Sequence, residues 1–214
     1  MSEELGKIEK PPVEDFKSGR KLYFVPLIYP GKDAEDEFVE RCDNYWEQVS
    51  DHIKDLELKL GNVKNIYHEF MPMGDEEALN NIEHLNKKSC QIIRSRVDNG
   101  AMMEVTEAED LLTEFMDWSR CLAIGLQNRE VFAKVYGFFQ EASKNRNEHI
   151  ARKIDETLGQ DESGILFMRE GHQIQFSSDI EIFYISPPAL DEIKRWLRSK
   201  ETADSAPETG KSDQ

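Results

Sequence analysis

Short apolar runs alternate with longer amphipathic stretches along most of the chain. Residues 21–29 (KLYFVPLIY) form a β-branched and aromatic run that ends at Pro30-Gly31, which predicts a buried strand followed by a turn. From about residue 33 to residue 60, apolar side chains recur every three or four positions, and Gly61 is a suitable C-cap. The pattern therefore begins with a strand, a turn and an amphipathic helix.

The same alternation continues to residue 198. A second strand is predicted over 63–70, a helix over 75–97 and a third strand over 101–105. Thr106 with Glu109 three residues later matches a capping box, which predicts that the next helix begins there. The remaining predicted elements are a long helix over 129–158, strands over 165–168 and 180–185, and a final amphipathic helix after residue 188.

Strands that alternate with helices are typical of the α/β class. We therefore predict a single helix-rich domain over residues 20–198, with a central parallel or mixed sheet covered by helices. Residues 1–19 contain few large apolar side chains and residues 199–214 contain none, which predicts a mobile N-terminal segment and a disordered tail. In such a fold the carboxyl ends of the strands form the functional edge of the sheet.

The chain carries a large negative charge. Its 214 residues include 43 Asp and Glu against 27 Lys and Arg, and the formal net charge is −16. An acidic surface repels nucleic acid and anionic lipid, so we expect neither nucleic-acid nor membrane partners. The first residues lack the pattern of a signal peptide, and the three cysteines are far apart, which favours a cytoplasmic protein without disulfides.

Polar side chains follow three of the predicted strands. His68 and Glu69 end the second strand, Glu107 follows the third, and Glu170 and His172 follow the fourth. Imidazole nitrogens and carboxylate oxygens bind divalent metals, so His68, Glu69 and His172 are candidate metal ligands. The alternative is structural, with histidines hydrogen-bonded at the sheet edge and acids that complement helix N-termini. Because no glycine-rich phosphate-binding motif follows a strand, we expect no nucleotide cofactor.

The long predicted helix carries an arginine on its apolar face. Val131, Val135, Phe138 and Ala142 form a stripe at helical spacing, and Arg146 continues that stripe. A buried guanidinium needs a carboxylate, a carbonyl or a ligand anion, and the acidic strand ends are the nearest source. If the helix instead protrudes past the core, Arg146 is exposed and needs no such partner.

Two stretches of the chain resemble a known family. Residues 146–172 contain an Arg-bearing helix, an apolar strand and a terminal Gly171-His172, and residues 21–69 contain a strand, a helix and a strand that ends in an acid. Both are similar to the TraB/TIKI-like superfamily, which includes the ChaN/EreA-like proteins and has strands that end in GxxH motifs. The resemblance implies an α/β fold and metal-dependent hydrolysis, notably of peptides.

The chain departs from those GxxH motifs at two places. Tyr29 stands where the first histidine is expected, and the position three residues before His172 is not a glycine. Of the family's functional residues, His172, Glu69 and Arg146 carry over, and His68 would replace the missing ligand. A relative that has kept the fold but lost or changed the chemistry is an equally good interpretation.

Two functional hypotheses follow. In the first, the chain is a metal-dependent, peptidase-like hydrolase in which the two histidines and Glu69 hold a divalent ion. Arg146 then binds a substrate carboxylate or oxyanion, and Glu170 or Glu107 is the general base. In the second, the chain is a non-catalytic module whose acidic surface and helical faces bind a basic or apolar protein partner. The sequence names neither the substrate nor the partner, and it leaves an oligomer open.

Overall fold

The computed structural model describes residues 18–204 and contains a five-stranded, all-parallel sheet flanked by six helices, which confirms the predicted α/β class. In chain order the elements are β1 (Arg20–Pro26), α1 (Asp36–Leu60), β2 (Val63–His68), α2 (Asp75–Leu85), α3 (Lys87–Val97), β3 (Met102–Met103), α4 (Glu109–Ala123), α5 (Arg129–Thr157), β4 (Ser163–Met168), β5 (Ile180–Tyr184) and α6 (Pro188–Asp204). No helix within this range is long and apolar enough to cross a membrane.

The two predicted terminal segments lie largely outside the described residues. The structure begins at residue 18, close to the end of the predicted N-terminal segment. At the other terminus, α6 continues to residue 204, which is six residues into the segment predicted as a disordered tail. The folded part of the chain therefore extends slightly further than the apolar pattern alone indicates.

The strands are arranged in the order β3-β2-β4-β1-β5. β4 lies at the centre, between β1 and β2, and every residue of β4 is buried. Parallel strands with helices on both faces are buried on both sides, which explains why β1 and β4 contain continuous apolar runs rather than alternating ones. Because all five strands are parallel, their carboxyl ends meet at one edge of the sheet.

The helices cover the two faces of the sheet unequally. We call the face packed against α1, α2, α3 and α6 the first face, and the face packed against the C-terminal half of α5 the second face. The second face has a smaller apolar cluster, in which α5 contributes Ile150 and Ile154 and is followed by Leu158. α4 packs mainly against α5, so the two helices form a hairpin beside the carboxyl-end edge.

The single helix predicted over 75–97 is wrong, because the chain divides it at Asn86. This residue has an extended backbone conformation, and its side chain accepts hydrogen bonds from the backbone N–H groups of Lys88 and Ser89 at 2.9 and 3.2 Å. Asparagine at this position is a favoured N-cap, and it starts α3 immediately after α2 ends. The apolar spacing continues across the break, which is why periodicity alone suggested one helix.

The capping box predicted at Thr106 is also wrong. α4 begins at Glu109, and its N-cap residue makes no side-chain cap hydrogen bond. The hydroxyl of Thr106 instead accepts the backbone N–H of His68 at 3.2 Å and donates to the carbonyl of Glu104 at 3.2 Å. Thr106 thus ties the segment after β3 to the end of β2, and this contact brings Glu107 to the carboxyl-end edge.

Candidate functional site

Three of the predicted site residues meet at the carboxyl-end edge of the sheet. Arg146 of α5 donates from Nε to Glu107 Oε2 at 2.9 Å and from Nη2 to Glu69 Oε1 at 3.2 Å, and Nη2 also contacts Glu107 Oε1. The side chains of Arg146, Glu69 and Glu107 are 4%, 2% and 0% exposed. The prediction that an inward Arg146 pairs with carboxylates from the strand ends is therefore confirmed.

The charges of this cluster stabilise one another. Burial opposes the charged form of Arg146, but the bonds that it donates to Glu107 and Glu69 outweigh this effect and raise the pKa of the guanidinium above its ordinary value. A buried ion pair adds little net stability when it is complete, because desolvation offsets the attraction. It becomes costly when one partner is removed, because the remaining charge is then buried without compensation.

Phe70 contacts two arginines of the site. Its ring centroid lies 5.1 Å from the guanidinium of Arg146 and 4.6 Å from that of Arg169, and its backbone N–H donates to Glu107 Oε1 at 3.0 Å. The backbone of Phe70 has φ 65, a left-handed conformation that costs about 1–2 kcal/mol outside glycine. The cation–π contacts and the hydrogen bond to Glu107 offset this strain and hold the turn after β2.

Arg169 is the site residue that the sequence reasoning missed. It directly follows β4, its backbone N–H donates to Glu69 Oε2 at 2.9 Å, and its Nε and Nη2 reach the same carboxylate at 3.3–3.4 Å. Its side chain is nevertheless 51% exposed. The available signal was its position at the carboxyl end of an apolar strand, the same signal that identified His68 and Glu69.

Arg146 and Glu69 of this cluster line a pocket of about 330 Å³ between α5 and the segment that connects β4 to β5. Polar side chains of several kinds line it near the sheet edge: Glu69, Gln140, Asn147, Arg169, His172 and Gln173. Aromatic side chains of the α4–α5 hairpin, Phe115, Tyr136 and Phe139, line it as well, and the Phe115 ring lies 4.7 Å from the Arg146 guanidinium. A pocket of this size and mixed lining is typical of a small-molecule site.

His172 contributes a neutral imidazole to the pocket. Its ring packs against that of Phe24 with 4.8 Å between centroids, and its Nδ1 accepts the backbone N–H of Ile174 at 3.3 Å. Because Nδ1 is an acceptor, the proton of the neutral ring is on Nε2. Partial burial lowers the pKa of His172 below its ordinary value, which favours this neutral form. The ring thus has one N–H group available to a ligand.

His68 lies on the first face of the sheet, away from the pocket lining. It stacks on Phe167, a member of the first-face cluster, and its Nδ1–H donates to the carbonyl of Glu69 at 2.6 Å. Its Nε2 is buried and has no hydrogen-bond partner within the described residues. Burial lowers the pKa of His68 to about 4, so the ring is neutral at physiological pH.

The structure therefore brings two of the three predicted metal ligands, Glu69 and His172, into one pocket, and it does not place His68 with them. Within residues 18–204, no group of three or more His, Cys, Asp or Glu side chains is arranged to hold a metal ion. Both oxygens of Glu69 already accept hydrogen bonds from the two arginines. The metal site remains a prediction from the sequence.

The two predicted general bases have different surroundings. Glu107 is bound by Arg146 and is fully buried, so it contacts no solvent. Glu170 lines the pocket, where its carboxylate accepts a hydrogen bond from Lys194 Nζ at 2.7 Å and another from the hydroxyl of Tyr184. Each carboxylate is thus held by a cationic partner in this arrangement.

No protein-family model, no curated protein and no solved structure gives a significant match to this chain. The resemblance to the TraB/TIKI-like superfamily therefore rests on the short motifs described above and remains a prediction.

Proposed function

We propose that this chain binds a small molecule with an anionic group, a carboxylate or a phosphate, in the pocket at the carboxyl-end edge. The observation that carries the proposal is the half-exposed guanidinium of Arg169 at the pocket surface. A guanidinium matches the planar, two-oxygen geometry of such groups better than an ammonium does.

Within the described residues, Arg169 has an N–H group available to a ligand, whereas Arg146 is buried. The bonds of Arg169 to Glu69 use its Nε and Nη2, and no bond from its Nη1 occurs within the described residues. Arg146 is buried and already binds two carboxylates. The role that the sequence suggested for Arg146, the binding of an anionic group, is therefore assigned to Arg169 in this proposal.

The local charge also supports an anionic ligand. Two guanidinium groups balance the carboxylates of Glu69 and Glu107, and Lys194 balances Glu170. The pocket is thus close to neutral in a chain whose formal net charge is −16. An anion that the rest of the surface repels meets no net repulsion at this place.

Neutral donors complete the site. His172 has its Nε2–H available, and the side-chain amides of Gln140 and Asn147 line the same pocket. Amide and imidazole groups donate hydrogen bonds to anionic oxygens without adding a charge that needs its own partner. The set resembles a binding site in which one cation anchors the ligand and neutral groups orient it.

The test is an NMR titration of the full chain with hexanoate and with inorganic phosphate. We expect Arg169→Gln to weaken the binding of the preferred anion by about tenfold or more, since a charge-assisted hydrogen bond is lost. Arg120→Gln is the matched control, because it removes the same charge from an exposed pair with Asp117 on α4. Equal affinity of the wild type and Arg169→Gln for both anions would refute the proposal.

Metal-dependent hydrolysis is the second candidate, and one observation favours it. Glu69 and His172, two of the ligands implied by the family resemblance, line the same pocket. An ion bound to Glu69 has to displace Arg169 from that carboxylate. On this hypothesis Arg169→Gln strengthens Mn²⁺ binding and His172→Ala weakens it. The proposal of an anion site predicts no Mn²⁺ binding in either variant. Electron paramagnetic resonance of added Mn²⁺ therefore distinguishes the two proposals.

A further inference from the structure

A row of aromatic side chains continues from the pocket along α5. Phe132 and Tyr136 stack with 5.9 Å between centroids and an interplanar angle of 8°, and Phe139 follows 6.4 Å from Tyr136. Phe132 is 45% exposed and Tyr136 is 43% exposed. Rings that are nearly parallel and half exposed are an unusual arrangement on a protein surface, where large apolar side chains are normally scattered.

This aromatic row and the anion-binding residues belong to one pocket. Tyr136 and Phe139 line it together with Arg169 and His172. Ten residues separate Tyr136 from Arg146 on α5, so their backbones are about 15 Å apart at about 1.5 Å per residue. Ring contacts through Phe139 and Phe115 connect the two residues. The pocket therefore has a polar end, at Arg169 and His172, and an aromatic lining that extends to Tyr136.

We infer that the ligand of this pocket is an aryl-alkyl anion, in which the anionic group binds Arg169 and an aromatic ring stacks against Tyr136. The inference rests on the proposed function, because it takes the polar end of the pocket as the anion site. Aromatic rings pack with centroids about 4.5–7 Å apart, so a ligand ring in the pocket can pack against Tyr136 and Phe139, which both line it. A flexible alkyl spacer joins the ring and the anionic group of such a ligand.

Phe138 provides the contrast that supports this assignment. Its exposure, 48%, is similar to the 43% of Tyr136, but it stacks on Trp118 of α4 with 4.8 Å between centroids and is not part of the pocket lining. Phe138 therefore holds the two helices of the hairpin together. Tyr136 lines the pocket, and its ring contacts among the described aromatic pairs are all with rings of its own helix.

The test compares hexanoate with 6-phenylhexanoate in NMR titrations of the full chain. We expect the phenyl compound to bind about tenfold more tightly, because the ring is removed from water and stacks on Tyr136. Tyr136→Ser should remove that advantage, so that the two compounds then bind about equally tightly. Phe138→Ser, the matched control, should keep the advantage. A second pair of compounds, 6-phenylhexyl phosphate and hexyl phosphate, should show the same advantage for the phenyl compound. Comparison of the carboxylate pair with the phosphate pair identifies which anionic group the polar end prefers.

The outcomes separate this inference from the proposed function. If the wild type binds each phenyl compound no more tightly than its unsubstituted partner, or if Tyr136→Ser keeps the advantage, the inference fails and the anion site stands. If no anion binds to the wild type, both fail. Tyr136→Leu, which keeps the apolar volume without the ring, preserves the test if the serine variant does not fold, and it should reduce the advantage to a few-fold.

Discussion

Two arginine clusters lie at opposite edges of the sheet, and they differ in burial more than in composition. At the amino ends of the strands, Arg20 binds Asp179 through Nε and Nη2 at 2.9 and 2.8 Å, and Asp155 of α5 through Nη2 at 2.6 Å. These two acids are 58% and 51% exposed. At the carboxyl ends, Arg146 of α5 also binds two acids, but all three side chains are buried.

Burial, rather than the number of ion pairs, determines what each cluster contributes. The bonds from Asp179 and Asp155 raise the pKa of Arg20, and the same contact lowers the pKa of Asp179, but water and salt screen these charges. The cluster around Arg146 is shielded from solvent and is tied to Phe70 and Arg169. We therefore expect the amino-end cluster to be tolerant of change and the carboxyl-end cluster to be intolerant.

The largest expected effect follows from the substitution Arg146→Gln. It leaves the carboxylates of Glu69 and Glu107 buried beside each other, so we expect the free energy of unfolding to fall by about 3–5 kcal/mol. Urea unfolding followed by circular dichroism measures the change. Arg152→Gln removes an exposed arginine from the same helix and should have little effect.

Arg146→Lys keeps the positive charge but loses the planar fork, so its loss of stability should be intermediate. This variant also keeps the measurement possible if Arg146→Gln does not fold. The free energy of unfolding could instead fall no more in Arg146→Gln than in Arg152→Gln. Burial would then not strengthen the carboxyl-end cluster, and the contrast between the two edges of the sheet would disappear.

Acidification should lower the stability of the folded chain through His68, which lies at the carboxyl end of β2. The pKa of His68 in the folded chain is about 4, below its ordinary value of 6.5, because burial disfavours the charged ring. Between these values the unfolded chain binds a proton that the folded chain does not. The free energy of unfolding therefore falls as the pH is lowered from 6.5 to 4, by up to about 3 kcal/mol. Urea unfolding at several pH values across this range measures the slope.

His68→Asn tests the assignment of that slope. The asparagine amide can donate to the Glu69 carbonyl as Nδ1 does, but it does not titrate. The variant should show a smaller pH dependence, with a residual part from His149 and His172, whose pKa values burial also lowers. His84→Gln on α2 is the control and should keep the wild-type slope. If the free energy of unfolding of His68→Asn keeps the wild-type dependence on pH, then His68 is not the group that causes it.

The smallest effect is expected at the amino-end cluster. Arg20→Gln should lower the free energy of unfolding by about 1 kcal/mol or less at low salt, because the two acids that it binds are more than half exposed and are screened by water. The difference from the wild type should shrink further in 0.5 M NaCl, whereas the effect of Arg146→Gln should be nearly independent of salt. Equal salt sensitivity at the two clusters would mean that burial does not shield the charges of Arg146 and its partners.

The fold class and the inward position of Arg146 could be predicted from the sequence, because both depend on periodicity. Apolar runs marked β1, β2, β4 and β5, and helical spacing marked α1, α5 and α6. The stripe of Val131, Val135, Phe138 and Ala142 placed Arg146 on the face that is buried in the C-terminal half of α5, although Val131 and Phe138 in the N-terminal half are 45% and 48% exposed. Its carboxylate partners followed from the rule that the carboxyl ends of parallel strands meet at one edge.

The parts that could not be predicted depend on local backbone choices. Asn86 divides a continuous apolar pattern because its side chain caps α3, and Thr106 binds the end of β2 instead of capping α4. The involvement of Arg169 depends on how the chain turns after β4. His68 and Glu69 lie on different sides of the sheet. The side that each takes depends on strand alternation and on the bulge between Val63 and Asn65 in β2, and residue type reveals neither of these features.

The central position of β4 has a consequence for how the chain is made. Lys21 of β1 and Val63 of β2 both lie opposite Ser163, which leaves the ribosome long after either of them. Until β4 emerges, β1 has no neighbouring strand and β2 has only the two-residue β3. We therefore expect helices to form early in synthesis and the sheet to assemble late, in a slow step dominated by distant contacts. The pocket, which needs β2, α5 and β4 together, is completed in that same late step.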